Sequence, residues 1–279
     1  MKATLSLKKY INAVRETTPL VHNITNYVTV NDCANALLGI GASPIMSDEP
    51  KDVVDITSIC SGLTINIGTL NAQSIEAMFL AGNRAAELGH PIVLDPVGAG
   101  ASMLRTTTAS DLLDRLPIAI IKGNMSEAKA IAKGASSTHG VDVCPDDMVC
   151  EENLSEGATF ACDLAATSNA VVAITGPIDI VADANSAYAI RNGSPLQGKI
   201  TGSGCMLACM CAAFAVAAEK SVLEATVAAV SAMGLAGQQA QERMSAVDGN
   251  GSYRTYLLDA LYKMDGAILE AGAEIEKVR

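Results

Sequence analysis

The chain has 279 residues and a formal net charge of −11; 49% of it is apolar, only 18% charged and 3% aromatic, with no Trp. That length suffices for one large α/β domain or two small ones around an aliphatic core. The acidic balance, with no Lys/Arg cluster, excludes a surface that tracks nucleic-acid phosphates, and the longest apolar run, Cys205 to Ala218, is too short to cross a bilayer.

The N-terminal stretch MKATLSLKKYINAVRE lacks the unbroken apolar segment of a signal peptide, so the expected location is cytoplasmic. Short β-branched runs then alternate with longer Ala-rich stretches. Strands are predicted at Pro19–Ile24, Ser43–Met46, Leu63–Ile67, Ile92–Leu94, Ile118–Ile121 and Val171–Ile174, each apolar enough to be buried on both faces of a parallel sheet. Helices are predicted between them, as at Ala72–Leu88 and Ser126–Lys133, which is the βαβ alternation. Gly134–Glu152 reads as a surface loop. Ile178–Asp183 and Ala187–Arg191 follow the sixth strand too closely for crossover helices and should extend the sheet antiparallel. From Gly204 onward the pattern is helical, in three pieces broken near Glu219–Ser221 and Asp248–Ser252. No repeat or linker divides the chain, so residues 1–279 are expected to form a single domain. Such sparse charge over so many helices suggests that some faces are covered by another subunit.

Eight cysteines lie mostly in apolar surroundings and form no CxxC pair, so a zinc ribbon or a thioredoxin-like site is not expected. Seven of them read as small core residues in a reducing compartment. His22, His90 and His139 are scattered without ligand spacing, and His90, just before a strand, reads as structural.

In a parallel α/β sheet, ligands bind beyond the carboxyl ends of the strands, so polar residues just after apolar runs carry most weight. Asp95 follows a strand and precedes a Gly-rich loop; it either caps that turn or reaches a cation or substrate. Lys122, Asn124 and Glu127 follow the next strand, and Asn124-x-x-Glu127 also fits a helix-capping box. The two acids at neighbouring strand ends make a plausible magnesium–phosphate pair. Thr175 and Gly176 end another strand, either as a hairpin turn or as a hydroxyl touching a nucleotide. Gly202-Ser203-Gly204 opens a wholly apolar helix whose first N–H groups have no internal partner, which makes an anion hole. Cys205 stands in its first turn, where a thiol's pKa is expected to fall. No P-loop motif occurs, and GAGASM and GSGCML both lack the third glycine of the dinucleotide fingerprint.

PLVHNITNYVTVNDCANALLGIGASPIMSDEP, INIGTL, VLDPVGAGAS, IKGNMSEAKAI, ITGPIDIVAD and TGSGCMLACMCAAFAVA occur in the order seen in the hydroxyethylthiazole kinase family, which the chain resembles from about Pro19 to Ala217. The resemblance implies a ribokinase-like α/β fold, a central mostly parallel sheet flanked by helices with a short antiparallel edge extension. It implies magnesium-dependent transfer of the γ-phosphoryl group of ATP to the primary alcohol of 4-methyl-5-(2-hydroxyethyl)thiazole, in thiamine biosynthesis. By motif match, Met46 and Gly202 line the thiazole site with Asn26 and Gly68 nearby. Lys122 and Thr175 match ATP-contacting positions, Asp95 and Glu127 match the acids that organise magnesium and phosphates, and Cys205 occupies the position of the Asp base of other ribokinase-like kinases. The family is trimeric, with active sites at subunit interfaces. Lys122 departs from the family, which commonly has Arg there, and Lys loses the planar two-pronged contact.

Three other readings compete. A kinase for another small alcohol, such as hydroxymethylpyrimidine or a sugar, shares the fold, though a sugar would need more polar side chains than HNITN and SPIM offer. An NAD(P)H-hydrate dehydratase of the same superfamily would carry an acid at position 205. A non-enzymatic thiazole-binding protein would have no need of Asp95, Glu127 and Gly202–Cys205.

Overall fold

The computed structural model describes residues 5–134, 148–218 and 221–279. Among them, nine strands form one sheet in the order β2-β1-β3-β4-β5-β6-β7-β8-β9. The parallel part is β1 (Leu20–Ile24), β2 (Ser43–Met46), β3 (Gly62–Asn66), β4 (Ile92–Asp95), β5 (Ile118–Asn124) and β6 (Val171–Thr175). The residues of β1, β3, β4 and β6 are almost entirely buried, as the continuous apolar runs require; β2, expected to be buried on both faces, is half-buried throughout because it lies at the edge of the sheet. β7 (Asp179–Ala182) and β8 (Ala187–Ile190) extend the sheet antiparallel, as their tight spacing demanded. β5 continues to Asn124, beyond the apolar run, because Lys122, Gly123 and Asn124 stay in register with Ala173, Ile174 and Thr175 of β6.

Helices cover both faces. α1 (Lys8–Thr17), α2 (Val30–Ile40), α8 (Ser203–Ala217), α9 (Val222–Glu242), α10 (Asn250–Lys263) and α11 (Gly266–Gly272) close one core; α3 (Val53–Ile59), α4 (Ala72–Leu88), α5 (Met103–Arg115), α6 (Met125–Gly134) and α7 (Leu154–Ser168) close the other. α8 is buried on all sides from Cys205 to Ala215, since it lies directly on the central strands beneath α1, α2 and α9. A helix with no polar face can exist only there.

The all-helical reading of the C-terminal third is corrected in two places. α11 is a fourth helix, and Ile275–Lys277 forms β9, which pairs antiparallel with β8. Three residues with two charges carry no strand signal by themselves; the open edge of β8 recruits them, and charged side chains suit an exposed edge. Of the expected breaks, α8 ends at Ala217 and α9 starts at Val222, with residues 219 and 220 outside the described part. The second break falls slightly earlier than expected, since Asn250 already belongs to α10. Of the expected loop Gly134–Glu152, residues 135–147, with His139 and Cys144, also lie outside the described part; Gly134 ends α6 and Glu151 opens a single 3₁₀ turn. His90 sits before β4, its backbone N–H closing the end of α4 on the Ala85 carbonyl. Among the described residues, no helix is long and apolar enough to cross a membrane.

Candidate active site

The strand order sorts the candidate residues into a line along the carboxyl edge of the sheet. Met46 ends β2, and Asn26 and Gly68 follow β1 and β3; Asp95 ends β4; Lys122 and Glu127 belong to β5 and the start of α6; Thr175 ends β6. The start of α8 crosses this edge and sets Cys205 between the two ends of the line.

Gly202 is the N-cap of α8, with φ +91, and a Cβ there would lie 2.6 Å from Thr29 Cγ2. Both the left-handed backbone and the close approach of Thr29 therefore demand glycine. This N-terminus carries no side-chain cap, so its N–H groups remain available to a ligand. At Gly204 a Cβ would lie 2.8 Å from Lys122 Nζ. The lysine's ammonium thus rests against the first turn of α8.

Lys122 and Asp95 form a buried ion pair, Nζ to Oδ1 at 3.2 Å, with the carboxylate wholly enclosed. Burial pushes the Asp95 carboxyl upward and Lys122 opposes it; for Lys122, burial pulls down, but the Asp95 carboxylate, with Glu127 and Cys205, more than offsets it and holds the amine charged. The other Asp95 oxygen accepts from Asn66 Nδ2 at 2.6 Å. Asn66 Nδ2 and Asn26 Nδ2 also approach Cys205 Sγ, at 3.3 and 3.2 Å.

The expectation that the helix start lowers the Cys205 pKa is corrected. Burial raises it, the Asp95 carboxylate adds to the rise, and Lys122 offsets only part. A helix terminus contributes typically 0.3–1 kcal/mol, too little against the enclosure of a residue only 8% exposed.

Glu127 completes the expected capping box: its Oε2 accepts from Asn124 N–H, and Asn124 Oδ1 accepts from Glu127 N–H, both at 2.9 Å. Its Oε1 accepts from Gly98 N–H at 2.9 Å, tying the β4–α5 loop to α6. Among the described residues, no cluster of three or more His, Cys, Asp or Glu side chains could hold a metal. Magnesium needs no such cluster: one or two carboxylates suffice when phosphates and water fill the remaining positions. The hard oxygens of half-buried Glu127 and of Asp95 beside it fit an ion that arrives with a nucleotide, each retaining lone pairs beyond the bonds described.

Beyond Cys205 lies a cavity of about 540 Å³, lined among others by Thr175, Gly176, Asp179, Ser194, Ser203 and Gly204. Thr175 therefore reaches both the expected hairpin turn and this cavity, its hydroxyl donating to the Gly123 carbonyl at 3.4 Å. Met46, Asn26 and Gly68 do not line it; they belong to the other end of the line.

Sequence reasoning passed over three residues. Asn66 ends an apolar strand as Asp95 does, and the same rule would have selected it. Thr29 hydrogen-bonds Asn26 Oδ1 at 3.0 Å and packs on Gly202, a long-range contact with no local signal. Arg105 donates to the Gly68 and Val97 carbonyls at 2.8 and 3.1 Å and so joins two loops of the site.

The model of the hydroxyethylthiazole kinase family matches residues 11–266. A hydroxyethylthiazole kinase of Clostridium acetobutylicum is 52% identical over 270 residues, covering 97% of this chain and 99% of that protein. The solved structure of a hydroxyethylthiazole kinase protein from Pyrococcus horikoshii is 35% identical, with a TM-score of 0.87 over 98% of this chain and 99% of that one. A ribokinase-like superfamily protein from Enterococcus faecalis has a TM-score of 0.60 at 12% identity, over 94% of this chain and 90% of that one; it shares the fold.

Proposed function

The chain belongs to the hydroxyethylthiazole kinase family, and from that membership we propose that it transfers the γ-phosphoryl group of ATP to the primary hydroxyl of 4-methyl-5-(2-hydroxyethyl)thiazole. The observation that carries this reading is the order of groups along the sheet edge. A nucleotide-sized cavity lies at the Thr175 end, the apolar Met46 side lies at the other, and the Lys122–Asp95 pair and Cys205 stand between.

On this reading the cavity takes ATP, and the open N-terminus of α8 with Lys122 receives the γ-phosphoryl group. Phosphoryl transfer runs through a loose transition state, so positioning and neutralisation supply most of the acceleration. The alcohol oxygen bonds to the γ-phosphorus as the bond to the β–γ bridging oxygen breaks, and ADP leaves. Cys205 steers the hydroxyl, whose proton departs late, so a strong base is unnecessary. Magnesium, held by Glu127 and Asp95 with the phosphates, would neutralise the charge of the triphosphate. Met46, Gly202, Asn26 and Gly68 form the thiazole side in this assignment. We read residues 1–279 as one kinase domain working in the cytoplasm in thiamine synthesis.

ADP release with the thiazole alcohol, a hydroxymethylpyrimidine and ribose compared side by side tests the reading. Turnover is expected with the thiazole alone at micromolar concentrations; ribose as the better substrate would overturn it.

A homotrimer with shared sites is the second expectation. Tyr27 and Val28 directly follow Asn26 and are 78% and 58% exposed, and Met103 and Leu104 stand exposed at the start of α5. Apolar side chains so close to the acceptor end suit coverage by a second copy. Light scattering should give three times the mass of the chain. A monomer that keeps full turnover on dilution would refute sites completed by a neighbour.

A further inference from the structure

We propose that Asn66, with Asn26, is a positioning residue for Cys205: the two carboxamides hold the sulfur as an acceptor and leave it one valence for the reacting hydroxyl. This rests on the thiazole kinase reading for its chemistry, though the geometry stands without it.

The orientation of both amides is fixed by the network. Asn66 Oδ1 receives the Gly68 backbone N–H at 2.9 Å, and a backbone N–H can only donate. Its Nδ2 is therefore turned to Asp95 Oδ2 at 2.6 Å and Cys205 Sγ at 3.3 Å. The same logic passes to Asn26. Its Nδ2 donates to Asn66 Oδ1 at 3.1 Å and to Cys205 Sγ at 3.2 Å, while its Oδ1 accepts from the Thr29 hydroxyl at 3.0 Å. An amide nitrogen carries two hydrogens. Each Asn spends one within the network and one on the sulfur.

A sulfur bonded to Cβ and met by two N–H groups has one tetrahedral direction left. In the thiol that direction holds the S–H, which rests on the Thr29 hydroxyl oxygen until the alcohol takes that place; in the thiolate it holds a lone pair. Either way a single contact to the hydroxyl is available, and its direction is set by Asn66 and Asn26, which are 2% and 5% exposed. Gly68 belongs to the same device. A Cβ at that position would lie 2.9 Å from Asn66 Oδ1 and 3.0 Å from Asn26 Cβ, so only glycine lets both amides close on the sulfur.

The test is a double-mutant cycle on kcat. Asn66→Ala and Asn26→Ala are each expected to lower kcat by about 10- to 100-fold, the range lost when a reacting group is misplaced, with the KM for ATP within about twofold. In a Cys205→Ala background, either substitution should cost less than about threefold more. Asn26 does not touch Asp95, so it remains informative if Asn66→Ala folds poorly or acts through that carboxylate. Losses of equal size in both backgrounds would overturn the proposal. Should the wild-type chain not phosphorylate the thiazole alcohol, the functional reading fails, and the cradle is judged by NMR. The side-chain amide resonances of Asn26 and Asn66 should both shift on Cys205→Ala, and unmoved resonances would refute it.

Discussion

Lys122→Met is expected to lower kcat by about 10²–10³, the loss typical of removing one preorganised donor from developing charge, and to destabilise the fold by about 3–5 kcal/mol as well. Both effects follow from one geometry. The ammonium rests against Gly204 at the start of α8, where the transferring phosphoryl group would sit, and it is the counter-ion of a wholly buried Asp95. Methionine matches the stem and removes the charge, leaving a buried carboxylate that keeps the Asn66 hydrogen bond but faces the like charge of Glu127. Burial then drives its protonation. The double variant Lys122→Met/Asp95→Asn, read against Asp95→Asn alone because Asp95 also serves the magnesium site, separates the two roles. An amide keeps an oxygen for Asn66 and needs no counter-ion, so denaturant midpoints should return most of the way while turnover stays low. If turnover returned with stability, Lys122 would be a structural residue that never meets the phosphates.

What the sequence disclosed follows from which interactions are local. Most of the parallel strands were legible because residues such as Val171–Ile174 are apolar on both faces, which suits a buried strand, whereas β2 lies half-buried at the sheet edge. Ala72–Leu88 was legible to both ends because Asn71 caps it with Ser74 and Gly89 stops it in the left-handed region. Polar residues closing apolar runs marked Asp95 and Thr175, and the capping box marked Glu127. The helix-start rule found Gly202–Cys205 but misjudged the thiol, since burial and the neighbouring Asp95 come from elements distant in sequence. The ion pair across 27 residues and the amides meeting Cys205 from β1 and β3 exist only once strand order is known. The same is true of β9, which is a strand by virtue of its neighbour alone.

The Cys205 series should separate the two uses of its free valence. Cys205→Ala removes the group and is expected to cost about 10² in kcat, near the low end for a proton-handling residue in a loose transition state. Cys205→Ser keeps a donor of similar size, but its oxygen is smaller and a far poorer base. If the cysteine only donates S–H to the alcohol, serine should lie within about tenfold of wild type; if the sulfur accepts the proton, serine should fall close to alanine. Cys205→Asp puts a carboxylate where Asn26 and Asn66 already offer two N–H groups. Those donors suit the charge well, and a remaining lone pair can take the substrate proton. Against this stands Asp95, whose charge already opposes ionisation of the thiol and would oppose a second carboxylate more strongly; Lys122 offsets part of that cost. The expected balance is an enzyme within about tenfold of wild type in kcat and somewhat less stable, since two acids then share one lysine. Steady-state rates, with thiazole binding measured separately by calorimetry, read out all three variants. An aspartate variant as slow as alanine while still binding thiazole would place Cys205 outside the path of the proton.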